Sequence, residues 1–146
     1  MKTKIIIKSA LVLAVVGIIS AGLVYKFVIN KPHQDVSKAR PAHMISAAEL
    51  FNSFRSDRQV AETKFNGQVV LLNGKLDKLE EAEGMVTGVF VFDQGMFGDE
   101  GVRCTMLPGQ SENIKNIPQE TEIHIKGYLT GYNDTDVILE QCSVIR

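Results

Sequence analysis

A run without a charged side chain, Ser9 to Tyr25, constrains this chain more than any other feature of its sequence. Lys8 and Lys26 bound the run, and apolar residues continue beyond both of them. Because an α-helix rises about 1.5 Å per residue and the hydrocarbon core of a bilayer is about 30 Å thick, about 20 residues suffice to cross it. The two lysines can extend their ammonium groups into the headgroup region. The sequence therefore predicts a transmembrane helix over residues 9–29 (limits about 5–29).

A cleaved signal peptide is the alternative interpretation, since it also combines a basic start with an apolar centre. The segment Ile19-Ser20-Ala21-Gly22 matches the small-x-small cleavage pattern poorly, so we favour an uncleaved anchor. Basic residues flank the run on both sides in similar numbers, so the positive-inside rule gives little indication of its orientation. Residues 1–8 form a short basic head, and such anchors usually deliver the larger part of the chain outward. We therefore expect a single pass through the cytoplasmic (inner) membrane, with the lipid bilayer as a partner and the C-terminal domain outside the cytoplasm.

The charges divide the chain into two unlike parts. Residues 1–40 carry seven Lys/Arg and one acid, a net charge of +6, whereas residues 41–146 carry nine Lys/Arg and sixteen Asp/Glu, a net charge of −7. Residues 30–45 contain Pro32 and Pro41 and little that could be buried, which predicts a linker. Residues 46–146 are then long enough for one small folded domain.

A helix is predicted at the start of this domain. Ser46 and Glu49 have the spacing of a capping box, in which each side chain binds a backbone N–H near the helix start. Apolar pairs four residues apart follow, and they indicate helical structure with one buried face. We expect one or two helical pieces over residues 46–65.

Five short β-strands are predicted after the helix. The first is interrupted by Gly74, as at a bulge or bend. Residues 93–101 are predicted to be a loop. Together these elements predict an all-β domain with a leading helix, folded as a small closed barrel. The predicted strands are Gln68–Leu79, Met85–Phe92, Val102–Met106, Glu122–Tyr132 and Asp136–Ile145.

Several short motifs resemble those of one protein family. They are Ala61…Lys64-Phe65-x-Gly67-x-Val69-Val70, then Val102-Arg103-Cys104, Gly127…Gly131 and Val137-x-Leu139-x-x-Cys142-x-Val144. Together they are similar to the tRNA_anti-like family, OB-fold domains of bacterial membrane-anchored or exported proteins. The resemblance covers about Ser46 to Ile145 and implies a five-stranded OB-fold barrel, in which the two halves share the first strand. It does not imply RNA binding.

A ligand face is predicted on the outer surface of the strands. Residues 122–132 alternate, which directs Ile123, Ile125 and Leu129 inward and Lys126 and Tyr128 outward. Lys126 and Tyr128 could line one binding face together with Arg103 and Tyr132. The alternative is that these residues belong to ordinary solvated strand surfaces. A polyanion would meet net repulsion from a domain of charge −7, so nucleic acid is an unlikely partner.

Cys104 and Cys142 fall on the third and fifth predicted strands, which are neighbours in an OB barrel. A disulfide between them is one interpretation, favoured by an oxidising compartment. Two small thiols that fill the core are the other.

No catalytic residues, metal site or cofactor are predicted. His33 and His43 lie in the predicted linker, and His124 points outward without a partner at metal-ligand spacing. We therefore expect a non-enzymatic, membrane-anchored binding or interaction module of the cell envelope, whose ligand is an envelope protein, a glycan or a small molecule. The alternative is a nucleic-acid-binding OB domain that faces the cytoplasm.

Overall fold

The computed structural model describes the backbone of residues 2–25 and 35–145, and the side chains of residues 12–25 and 35–145. The chain divides into two compact units, Met1–Gln34 and Asp35–Arg146. Helix α1 (Lys2–Val24) lies in the first unit, and its described apolar side chains are exposed.

Among the described residues, no helix is both long enough and apolar enough to cross a membrane, so the predicted transmembrane helix is not found among them. The predicted anchor (residues 9–29) and linker (residues 30–45) also extend over residues 26–34, which lie outside the described residues.

The second unit begins earlier than the sequence predicts. Residues 35–40, which we call the strap, form a turn in which Val36 is only 1% exposed. Strand β1 (His43–Ser46) then runs parallel to β2. The linker prediction is therefore wrong for residues 35–45. The sequence does not reveal this structure, because a strand of four residues that follows Pro41 and several polar residues leaves no hydrophobic pattern.

Two helices lie between β1 and β2. The predicted capping box is present, with Ser46 as the N-cap of α2 (Ala47–Ser56). Asp57 is extended rather than helical; it ends α2 and caps α3 (Arg58–Phe65) by accepting the Val60 N–H. The leading helix is thus two pieces. Their buried side chains, Ala47, Leu50, Phe51, Phe54, Ala61 and Phe65, pack into the core.

Seven strands form one sheet in the order β1-β2-β6-β7-β5-β4-β3, not the predicted closed five-stranded barrel. The first predicted strand is divided at Leu76 and Asp77, and β1 adds another strand. A short helix, α4 (Ser111–Lys115), connects β5 to β6. The remaining strands are β2 (Val69–Lys75), β3 (Lys78–Ala82), β4 (Met85–Gly95), β5 (Gly98–Met106), β6 (Glu122–Tyr132) and β7 (Asp136–Ile145).

The division of the first strand explains why the sheet curls around its core. Strands β2 and β3 lie near opposite ends of the strand order, yet only two residues connect them. The Leu76 N–H donates to Thr121 O (3.0 Å), just before β6, whereas the Asp77 N–H donates to Val89 O (3.1 Å) on β4. Leu76 and Asp77 are adjacent, yet they hydrogen-bond to parts of the chain near opposite ends of the strand order. The two ends of the sheet must therefore approach each other. The result is a mostly β, OB-like fold with leading helices.

Strands β4 and β5 form a longer hairpin than predicted. The predicted loop over residues 93–101 is instead paired to its end, where Gly95 faces Gly98 across a two-residue turn. Gly98 has a φ of +123°, a conformation that favours glycine. Met96 and Phe97 form the hairpin tip.

Candidate functional site

A pocket of about 350 Å³ lies beside the hairpin tip. Strand β3, the β4–β5 hairpin and the turn between β6 and β7 contribute to it, so three separate parts of the chain converge there. Its lining residues are Lys78, Phe97, Gly98, Asp99, Arg103, Thr135 and Asp136.

Arg103 is fixed in this pocket by two carboxylates. Its Nε lies 2.9 Å from Oδ2 of Asp136, and its Nη1 donates to Glu80. Asp136 is itself nearly buried, and its Oδ1 accepts the Gly101 N–H at 3.1 Å. Its Oδ2 also accepts from the Thr135 hydroxyl at 3.2 Å. The guanidinium is therefore held in one geometry with its charge already balanced.

Lys78 is paired in the same way. Its Nζ lies 2.7 Å from Oδ2 of Asp99 and 3.1 Å from Oε1 of Glu80. Burial alone would raise the pKa of Glu80, but hydrogen bonds from Lys78 and Arg103 outweigh it and hold that pKa below its ordinary value. The hydrogen bond from Lys78 likewise lowers the pKa of Asp99. With Asp136, three carboxylates face two cations, so an anionic ligand would compete with the carboxylates for both cations.

The hairpin tip carries the most exposed large apolar side chains of the second unit. Met96 is 93% exposed and Phe97 is 92% exposed. No pattern in the sequence predicts a ligand site at these residues or at Lys78, Asp99 and Asp136. The two central positions of the turn hold no Gly, Asn or Asp, so the sequence carries no strong signal for a two-residue hairpin turn here.

Lys126 points outward as predicted, but the strap covers it. Its Nζ donates to the carbonyl oxygens of Ser37 (2.6 Å) and Ala39 (3.0 Å). The residue is 8% exposed. Lys126 therefore holds the strap against the outer face of β6, and a ligand could contact it only after the strap had moved.

Tyr132 faces the core, because a bulge at Thr130 reverses the alternation of β6. Tyr128 and Leu129 pair with consecutive residues of β7, but the following pair, across the bulge, involves Gly131. The Tyr132 ring lies 5.5 Å from that of Phe54, and its hydroxyl donates to Asp134 O at 2.9 Å. Burial raises the pKa of Tyr132.

The four predicted ligand residues therefore do not form one patch. Only Arg103 lines the pocket, on β5. Lys126 and the half-buried Tyr128 lie on β6, which β7 separates from β5.

Cys104 and Cys142 lie on neighbouring strands, β5 and β7, as predicted. Both side chains are buried. A bulge at Gln141, whose φ is +54°, directs Cys142 inward three residues after the inward-facing Leu139. Burial raises the pKa of Cys142 well above its ordinary value, which makes the thiol unreactive in the folded protein. The disulfide stays a prediction; two alkylated thiols in unfolded protein purified without reductant would contradict it.

Replacing Lys126 with methionine is expected to release the strap while keeping the aliphatic stem buried. Two charge-assisted hydrogen bonds would be lost, each worth about 1.5–3 kcal/mol, so local opening should increase at least about tenfold. Trypsin cleavage after Lys38, timed in the full chain, measures this opening. Lys75→Met removes a lysine on β2 that pairs with Glu120, and serves as the control. Equal cleavage rates in both variants would show that Lys126 does not hold the strap.

Comparison with known proteins agrees with this architecture. The sequence profile of the tRNA_anti-like family matches residues 1–144. The chain belongs to the tRNA_anti-like family. None of the curated proteins compared matches the sequence.

The solved structures similar to this tRNA_anti-like chain include a lipoprotein from Klebsiella pneumoniae for which nucleic-acid binding is suggested. Its TM-score is 0.54 at 16% identity, over 80% of this chain and 100% of the other, which supports the fold alone. The Stn1–Ten1 complex of S. pombe has a TM-score of 0.39 at 12% identity, over 53% of this chain and 58% of its own. Asparaginyl-tRNA synthetase from Pyrococcus horikoshii has a TM-score of 0.39 at 14% identity, over 57% of this chain and 21% of its own.

Proposed function

We propose that this protein is a membrane-anchored, non-catalytic binding module of the cell envelope, and that the pocket and the hairpin tip form its binding face. The observation that carries the proposal is a pocket whose charged groups are already paired, beside two fully exposed apolar side chains. Such a surface is ordered before a ligand arrives, and pre-ordering lowers the cost of binding. The partner is an envelope protein, a glycan or a small ligand.

The protonation states in the pocket support a binding role over catalysis. General acid–base catalysis works best with a pKa near the working pH. Glu80 and Asp99 have lowered pKa values instead, so they remain ionised at neutral pH. Among the described residues, no three His, Cys, Asp or Glu side chains converge to hold a metal ion.

The anchor and the location rest on the charge-free run from Ser9 to Tyr25 and its basic flanks. The structural neighbour from Klebsiella is called a lipoprotein, which is compatible with a family that works at membranes. Protease access in intact and lysed cells tests the location. We expect the second unit to be cut in intact cells whose outer barrier has been opened. Cleavage only after lysis of the inner membrane would overturn the envelope location.

Nucleic-acid binding is the second candidate, favoured by the activity suggested for the same neighbour. Against it stand the −7 charge of residues 41–146 and the carboxylates that occupy both cations of the pocket. Non-specific nucleic-acid binding by basic proteins has dissociation constants of about 10⁻⁴–10⁻⁶ M.

A mobility-shift titration of the full chain in detergent separates the two candidates. We expect no shift of single-stranded DNA or RNA at about 10 μM protein and low salt, a concentration within the usual non-specific range. The double variant Glu80→Gln and Asp99→Asn frees Lys78 and removes two charges, so it should bind more tightly than the wild type. Wild-type binding that weakens steeply with salt would overturn our preference in favour of nucleic acid.

A further inference from the structure

The hairpin tip exposes apolar side chains that its own fold does not require. Gly98 supplies the positive φ of the turn, and Met96 and Phe97 between Gly95 and Gly98 are more than nine-tenths exposed, so the core does not need them to be apolar. Full burial of a Phe or Met side chain is worth about 1.5–3 kcal/mol each, which Met96 and Phe97 forgo in the isolated domain. A partner that covered both residues would recover that free energy.

The tip is braced on both of its strands. On β4, Asp93 pairs with Arg55 of α2, and on β5, Asp99 pairs with Lys78 of β3 at 2.7 Å. These ion pairs connect the end of the hairpin to two other elements of the domain. They restrict the position of the hairpin backbone, which lowers the conformational entropy that this backbone loses on binding.

The surroundings of the tip are acidic. Residues 85–102 contain no Lys or Arg, and Asp93, Asp99 and Glu100 lie within three residues of the tip. Arg55 pairs with Asp93 and Lys78 with Asp99, so the three acids and these two cations leave a net charge of −1. We call these three residues the acidic collar. Electrostatic complementarity requires positive charge around the site that receives the tip.

From these observations we propose that Met96 and Phe97 insert into an apolar pocket of a partner protein whose rim carries Lys or Arg side chains. Aromatic residues and methionine commonly act as anchors at such interfaces. The acidic collar argues against two other occupants: an anionic bilayer, and a second copy of a chain whose domain is itself negatively charged. The inference rests on the proposed binding face and adds the class of partner.

Site-specific photo-crosslinking of the full chain in its native cells tests the proposal. A benzophenone amino acid replaces Phe97 in one variant and Val60 in the other. Val60, 62% exposed on α3, is the matched control for an exposed apolar site away from the tip. We expect one protein adduct from position 97 that position 60 does not give. An adduct with lipid, an adduct of two copies, identical adducts at both positions, or no adduct would each overturn the proposal.

Capture alone is not sufficient, so the crosslinked protein is then purified and titrated. The chain contains no Trp, so Phe97→Trp provides a single fluorescent reporter. We expect its emission to shift to shorter wavelength when the purified partner is added, and not with phosphatidylcholine vesicles. Glu100→Lys in the same background should weaken binding about tenfold through repulsion from the basic rim. Unchanged affinity in that variant, or no emission shift with the partner, would overturn the proposal.

The binding function itself is tested separately. If a glycan or small molecule raises the melting temperature of the full chain while Phe97 gives only lipid or self adducts, the partner class is wrong and the binding function stands. If position 97 gives the expected protein adduct and the domain proves cytoplasmic, the envelope location fails and the tip proposal stands.

Discussion

Replacing Gly101 with alanine is expected to remove a large part of the stability of the second unit. An added Cβ would lie 1.8 Å from the carbonyl oxygen of Phe90 and 2.9 Å from its carbonyl carbon. Both are backbone atoms of β4, the strand that pairs with β5 at this point, so the clash can be relieved only by separating the two strands. The Gly101 N–H also donates to Thr135 O and to the Asp136 carboxylate, and these bonds would be strained as well.

We expect this substitution to cost about 4 kcal/mol or more, at the upper end of single-residue effects, against a total stability of about 5–15 kcal/mol for a domain. Urea denaturation of the full chain, followed by circular dichroism, measures the loss. Gly131→Ala is the matched control, since it is also a strand glycine and a Cβ there has no neighbour within 4 Å. If both variants unfold at the same urea concentration, the close approach of β4 and β5 at Gly101 is contradicted.

Replacing Phe54 with alanine should have the second largest effect. Phe54 is 1% exposed, and its ring lies 5.5 Å from the ring of Tyr132 and 6.3 Å from that of Phe65. Truncation of a buried phenylalanine removes its transfer free energy and leaves a cavity, which together cost about 3–5 kcal/mol. The same urea titration measures this cost.

Phe97→Ala is the control for this prediction, because Phe97 is 92% exposed and should change stability by less than about 0.5 kcal/mol. The comparison also tests the inward direction of Tyr132. If Tyr132 faced solvent, Phe54 would lose a neighbour and its truncation would cost less. A small effect of Phe54→Ala would therefore contradict both the helix packing and the bulge at Thr130.

Local chemistry made much of this fold predictable. Ser46 and Glu49 satisfy backbone groups within one helical turn, so their spacing predicts the start of α2 without knowledge of the rest of the protein. The alternation of Ile123 and Ile125 likewise places β6 at its observed bounds. The neighbouring positions of Cys104 and Cys142 followed from the strand order of the resembled fold, and the structure confirms them.

The candidate site was less predictable, because distant parts of the chain determine it. Thr130 has nothing in its own sequence that marks a bulge, yet that bulge turns Tyr132 from the surface to the core. Lys126 has the right alternation for an outer face, but the strap that covers it lies almost ninety residues earlier in the chain. The pocket needs Lys78, Arg103 and Asp136 from three strands, and no periodic pattern connects them.

The hold of Lys126 on the strap also determines how the domain responds to force. Tension that arrives along the chain from residues before Asp35 reaches the strap first. Two hydrogen bonds from one ammonium group, together with the buried Val36, resist it before the ladder between β1 and β2 is loaded. The strap is expected to detach while the sheet and its pocket stay folded. Under tension, the two hydrogen bonds of Lys126 should therefore break before the strands separate.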